Sequence, residues 1–390
     1  MAEGLQAAER EVVPAAGHRS AMALPAVDFD QAPFLVIWET TQACALACRH
    51  CRASARPGRD PLELSTDEGR RLVDMTAEMG TPIIVFSGGD PLSRPDLADL
   101  LAHAKRRGLR AATIPAATAA LDRDAVFRIR DAGADQMALS LDFPGAASHD
   151  AFRGVEGAFE KTMQAVGWAH LAGLPLQINS TVCGLNADRL EEMADFVDGL
   201  DIVFWEVFFL VPMGRGAALG GLTASQCERL FDVLYRAQQS RRFVVKVTEA
   251  PHYRRHVALR QAGGRPPAPG PVAEMPALLT RSEGPGHTIG LAPRGVNAGN
   301  GFLFVSHQGE VYPSGFLPMK AGNVRQSTLA QLYREHEMFR SLRDPDRLKD
   351  RCGRCEFRSI CGGSRARAFA LTGDAFATDP WCAYEPRAVR

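Results

Sequence analysis

The chain has 390 residues, 46% of them hydrophobic and 23% charged, with 45 Lys and Arg set against 45 Asp and Glu. That balance excludes a disordered chain, which needs lower hydrophobicity and a large net charge. It also gives no electrostatic footprint for nucleic acid or an anionic membrane as partner. No apolar run approaches the ~20 residues needed to cross a bilayer. The Ala-rich start is broken by Glu9, Arg10, Glu11, Asp28 and Asp30 and lacks a signal-peptide core, so a cytoplasmic address is expected. Length predicts two to three domains on a prior of ~150 residues each. Nine cysteines, an odd number in a reducing compartment, argue against a disulfide framework and for metal or redox chemistry.

In chain order, residues 1–32 lack apolar periodicity and read as a loose, flexible arm. Phe34-Leu-Val-Ile-Trp38 reads as a buried strand, and Ser65 to Gly80 as a helix with a capping box between Ser65 and Glu68. The unit then repeats. Strand 83–87 precedes helix 95–107, strand 110–114 precedes helix 122–132, and strand 136–141 precedes helix 157–172. Strand 176–182 precedes helix 187–200, and strand 203–211 precedes helix 223–240. Six strand–helix units of about 30 residues predict parallel βαβ repeats. That count is two short of a closed (β/α)8 barrel. The expected fold is therefore α/β, an open, partial (β/α)6 TIM-like barrel over residues 33–242, with a wide mouth at the carboxyl ends of its strands. Residues 243–300 read as an irregular connection, Pro- and Gly-rich from Ala262 to Pro285. Residues 301–390 read as a small C-terminal domain, opening on a hairpin across Gln308-Gly309. Helices are expected at 328–342 and 364–371.

Seven of the nine cysteines fall in two groups. Cys44, Cys48 and Cys51 lie in the loop after the first strand, with spacers of three and two residues. Three such thiolates can ligate three irons of a [4Fe–4S] cube and leave the fourth iron open. A structural zinc ion wants four ligands, and His50 is an awkward fourth because it adjoins Cys51. Cys352, Cys355, Cys361 and Cys382 supply four thiolates, enough to close a second cluster or to hold zinc. Cys183 and Cys227 stand alone and read as packing residues.

CxxxCxxC in the first βα loop of a six-unit open barrel resembles the radical S-adenosylmethionine (SAM) superfamily, with His50 in the usually aromatic position. Gly88-Gly89-Asp90-Pro91 after strand two resembles the family's Gly-Gly-Glu-Pro motif, with a shorter acid. The resemblance implies contacts to the SAM methionine there, to its ribose and carboxylate from Ser140, Asp142 and Asn179, and an adenine-side role near Arg215. It implies reductive cleavage of SAM to a 5′-deoxyadenosyl radical that removes hydrogen from substrate, fed by a one-electron donor such as flavodoxin or ferredoxin.

The C-terminal cysteines, with Cys361-Gly-Gly-Ser364 and Asp379-Pro-Trp-Cys382, resemble the SPASM extension. Ser314 and Ser364 replace two of its cysteines, and no cysteine lies between Cys227 and Cys352. One auxiliary [4Fe–4S] cluster is therefore expected rather than two. Trp38-Glu39-Thr-Thr, Cys51-Arg-Ala-Ser and Asn297-Ala-Gly-Asn-Gly bring the chain nearest to the group of heme-pathway decarboxylases. The resemblance implies a sizeable substrate, a porphyrin or a ribosomally made peptide. A non-catalytic iron–sulfur or zinc protein is the alternative of a different class. Trp168, Trp205 and Tyr312 read as packing residues, His252 and His256 as one solvated helix face, and His307 as an exposed turn residue.

Overall fold

The computed structural model describes residues 27–264, 276, 292 and 295–387. A ten-stranded sheet runs through it in the order β10-β9-β8-β1-β2-β3-β4-β5-β6-β7. Its strands are β1 (Leu35–Glu39), β2 (Ile83–Ser87), β3 (Arg110–Thr113), β4 (Gln136–Ser140) and β5 (Leu176–Val182), then β6 (Phe204–Phe209), β7 (Val244–Thr248), β8 (Phe302–Val305), β9 (Glu310–Tyr312) and β10 (Gly322–Asn323). β8 and β1 to β7 are parallel neighbours, while β9 and β10 are antiparallel. The sheet curls into an open, partial barrel.

Among the described residues twelve α-helices accompany it. They are α1 (Thr66–Glu78), α2 (Leu97–Arg106), α3 (Arg123–Asp131), α4 (Ala146–Arg153), α5 (Ala158–Ala172) and α6 (Leu190–Asp198), followed by α7 (Ala224–Ser240), α8 (His252–Gln261), α9 (Leu329–Glu335), α10 (Glu337–Arg343), α11 (Asp350–Arg354) and α12 (Arg365–Thr372).

Strand alternation explains how the barrel divides its side chains. On β1, Val36 and Trp38 are fully buried on the helix side, while Leu35 and Ile37 line the lumen. Trp38 packs against Phe86 at 5.8 Å. It lies so close to α1 that a Cβ on Gly69 would sit 2.6 Å from its ring. The α1 capping box forms as the sequence predicts, with Ser65 accepting from Glu68 N and Glu68 accepting from Ser65 N.

Several expectations change. The barrel has a seventh parallel strand, β7, inside the segment read as irregular. The first strand of the C-terminal hairpin, β8, pairs with β1 and so belongs to the barrel sheet. Residues 27–32 are not loose, because Val27, Phe29 and Ala32 are buried and Tyr333 Oη donates to Phe29 O at 2.7 Å. The predicted helix 328–342 breaks at His336, whose side chain caps α10. His252 and His256 are buried against Phe231, not solvated. His307 is buried too. The rest of the predicted arm and most of 262–285 lie outside the described residues.

Candidate functional site

The loop after β1 carries Cys44, Cys48 and Cys51 at the carboxyl end of the strands. Its two ends tie together, with Cys44 N donating to Arg56 O at 2.9 Å and Arg56 N donating to Gln42 O at 3.1 Å. The Gly88-Gly89 turn after β2 lies flat against the loop backbone. Gly89 N donates to Thr41 O at 2.8 Å, and Asp90 N to Ala43 O at 2.7 Å. A Cβ on Gly89 would meet Ala43 O at 2.5 Å, so only glycine permits this approach.

Each of the three sulfurs receives an N–H donor. Leu46 N faces Cys44 Sγ at 3.4 Å, Ala55 N faces Cys51 Sγ at 3.4 Å, and the Arg153 guanidinium reaches Cys48 Sγ at 3.7 Å. Such donors are the outer shell that holds and tunes an iron–sulfur cluster. Burial pushes the Cys44 thiol up to about 11, helped by Asp90 and the neighbouring cysteines. A metal must therefore displace its proton on binding. Three thiols on one loop, each with its own N–H donor, are the donor set that a cluster with an open position needs.

The helix α4, which the sequence reading missed, grips this loop with its last turn. His50 stacks on Phe152 at 4.5 Å and 14°. Arg49 N donates to Phe152 O at 2.9 Å, and Ala47 N to Arg153 O at 3.1 Å. Gly154 ends α4 with φ of 70°, and a Cβ there would strike Ala47 O at 2.7 Å. The local signal was Arg153-Gly154, a helix C-terminal pattern.

The other predicted contacts divide into two kinds. Ser140 and Asn179 are paired neighbours on β4 and β5. Pro91 and Asp90 are buried beside the cysteine loop. Both Asp90 oxygens have protein partners: Thr118 Oγ1 at 2.7 Å on one, Leu92 N at 3.1 Å and Ala116 N at 3.3 Å on the other. Burial raises its carboxyl above the ordinary value against these bonds. Asp142 is fully turned to protein as well, accepting from Thr181 N at 2.8 Å and paired with Arg153 at 2.5 Å. Arg215 braces the cysteine loop, donating to Cys48 O at 2.9 Å and Ala55 O at 3.3 Å.

Cys352, Cys355, Cys361 and Cys382 line one small cavity together, with Arg255, Arg351 and Arg358 around them. Arg365 reaches Cys352 Sγ at 3.8 Å, and Gly363 N faces Cys361 Sγ at 3.4 Å. A buried Arg367–Asp379 pair at 2.6 Å anchors the turn before Cys382, whose amide donates to Asp379 O. Four thiols on one cavity are the number of donors that a four-thiolate cluster needs. Ser314 and Ser364 do not face it. Their hydroxyls converge instead on Glu249, at 3.4 Å and 2.5 Å from its two carboxylate oxygens.

One buried network went unread in the sequence. Glu39 ends β1, pairing with Arg52 at 2.5 Å and with His307 Nδ1 at 3.0 Å. Burial opposes ionisation of Glu39, but Arg52 and His307 together hold its carboxyl below the ordinary value. The network joins Arg52, next to Cys51, to the hairpin. Cys183, Cys227 and Trp205 are fully buried, as packing residues should be.

Residues 38–197 match the Radical SAM superfamily. The chain is 39% identical over 375 residues to an AdoMet-dependent heme synthase of Oleidesulfovibrio alaskensis, covering 95% of this chain and 92% of that protein. It is 37% identical over 355 residues to one of Methanosarcina barkeri, covering 91% and 97% of the two. The fold is similar to that of Streptococcus suis SuiB bound to S-adenosylmethionine, with a TM-score of 0.68 at 15% identity, over 91% of this chain and 78% of that one. Among the described residues no helix is long and apolar enough to cross a membrane. Taken with the glycine turn seated on a three-cysteine loop, these likenesses place the chain among the enzymes of the radical SAM superfamily.

Proposed function

We propose that this enzyme oxidatively decarboxylates propionate side chains of an iron-coproporphyrin. The observation that carries the reading is likeness over nearly the full chain to AdoMet-dependent heme synthases. The lumen supports it. A cavity of about 280 Å³ is walled by Ile37, Val85, Ile114 and Phe208, with Gln177, Glu206, Lys246 and Thr248 along one side. Such a wall suits a flat apolar ring system with polar edges.

Cys44, Cys48 and Cys51 would hold the [4Fe–4S] cluster that, with SAM and a one-electron donor of the flavodoxin or ferredoxin kind, would supply a 5′-deoxyadenosyl radical. The chain's own residues do the rest. Gly88 and Gly89 keep the cysteine loop against the strand ends, Arg215 and α4 brace its far side, and Ser140 and Asn179 face the cofactor from the sheet. Removing one hydrogen atom from a propionate, then carbon dioxide and one electron, leaves a vinyl group, and the electron leaves to a one-electron acceptor. The four C-terminal cysteines hold an auxiliary cluster in this reading.

The test is anaerobic turnover of iron-coproporphyrin with SAM and a reductant. Expected are 5′-deoxyadenosine and a porphyrin lighter by carbon dioxide and two hydrogens for each propionic acid converted. SAM cleavage that leaves the porphyrin untouched but alters a precursor peptide would instead support peptide modification.

A further inference from the structure

The inner face of the barrel carries a cross-strand row that none of the cofactor assignments uses fully. Strand register pairs Ser140 with Asn179, Asn179 with Glu206, and Glu206 with Lys246. Directly paired residues point to the same face of a sheet. The row therefore runs from the cofactor side of the lumen to β7, the strand the sequence reading did not anticipate. Glu206, Lys246 and Thr248 all line the cavity.

Along this row the acceptors are closely engaged, while the cation is held only loosely. Glu206 accepts from Gln177 Nε2 at 2.6 Å on one oxygen and from Thr248 Oγ1 at 2.6 Å on the other. Gln177 Nε2 also donates to Asn179 Oδ1 at 2.7 Å. The Lys246 ammonium lies 4.0 Å above the Phe204 ring and makes one long contact, 3.4 Å to Gln177 Oε1. Among the described residues Lys246 forms no ion pair, and these two are its close contacts. Burial pushes its ammonium below the ordinary value, with Glu206 opposing. A cation held with so little compensation is stabilised by an incoming anion.

We infer that Lys246 anchors a carboxylate of the substrate, on the same inner row as Ser140 and Asn179. The ligand class is an amphipathic polycarboxylate whose apolar body lies against Ile37, Val85 and Phe208. This deepens the tetrapyrrole reading and rests on it. A carboxylate fixed at Lys246 orients the ring so that a different side chain faces the cofactor end of the row.

The experiment titrates reconstituted holoenzyme with iron-coproporphyrin and with its tetramethyl ester, followed by visible absorption. The wild type is expected to bind the free acid more tightly than the ester. Lys246→Met should weaken the acid by about tenfold or more, leave the ester unchanged, and keep the wild-type iron content. Lys246→Arg, which preserves the charge, should recover most of the loss. Equal weakening of acid and ester, or unchanged acid binding in Lys246→Met, would overturn the anchor and leave the tetrapyrrole reading standing. Failure of the wild type to bind either ligand would overturn both.

Discussion

At Gly89 one methyl group decides whether the cysteine loop can close. Its Cβ would lie 2.5 Å from Ala43 O and 2.7 Å from Gln42 O, and main-chain atoms cannot swing aside. Gly89→Ala is expected to cost about 1–3 kcal/mol by overpacking. The strain falls on the loop, so iron content should drop from about eight toward about four per chain, which a colorimetric iron assay reads. A second residue-scale test concerns His307. Burial lowers its basicity, but Glu39 and Asp60 outweigh that and raise it above the ordinary value. The protonated ring therefore favours the folded state below about pH 6.5. That contribution is lost as pH rises through the higher folded-state value. Tm of the wild type should fall across that interval, and His307→Gln should flatten the fall. The motif residues were legible because chemistry fixes their spacing. His307 was not, since its partner Glu39 is remote in sequence and only β8–β1 pairing brings them together.

Among the elements, α4 and β7 hold the residues that sequence patterning passed over. α4 is eight residues long and follows Phe143-Pro144-Gly145, and its buried face is His149, Phe152 and Arg153 rather than an apolar stripe. β7 is five residues long, and its inward positions include the charged Lys246 and the polar Thr248. Short length and inward polar groups hid both from periodicity, which detects burial in apolar surroundings. Helix starts were read well where caps are local. Ser65, Thr223 and Thr328 each accept from the backbone N–H three residues on. The α4 grip is testable through Phe152→Ala, which removes the ring beneath His50. A loss of about 3–5 kcal/mol is expected for a buried Phe. Denaturant unfolding of the cluster-loaded protein checks it, and a loss below about 1 kcal/mol would mean the stack contributes little.

Over the whole molecule, the C-terminal region is built into the barrel rather than appended to it. β8 continues the barrel sheet past β1, and Glu249, just after β7, reaches Ser314 beyond β9 and Ser364 before α12. The two serines occupy positions where the SPASM resemblance expects cysteines, and they form a hydrogen-bonded plug around one carboxyl. Burial raises Glu249 above the ordinary carboxylate range, outweighing the two hydroxyls and Arg367. A raised carboxyl binds its proton more tightly when folded, so stability falls as pH rises from the ordinary to the folded value. Glu249→Gln should therefore match or exceed the wild-type Tm at pH 8. Glu249→Ala should fall by about 1–3 kcal/mol through its orphaned hydroxyls. The missing cysteines were visible in the sequence, but the carboxyl that replaces them was not, because it comes from another part of the chain.

The central claim is that three cysteines serve chemistry and four close a separate site. Iron content and 5′-deoxyadenosine release, measured together on the reconstituted wild type and a Cys44, Cys48, Cys51 triple Ala variant, test it most directly. The account predicts about eight irons and SAM cleavage for the wild type, and about four irons with no cleavage for the variant. Loss of all iron in the variant, or SAM cleavage that survives it, would contradict the account.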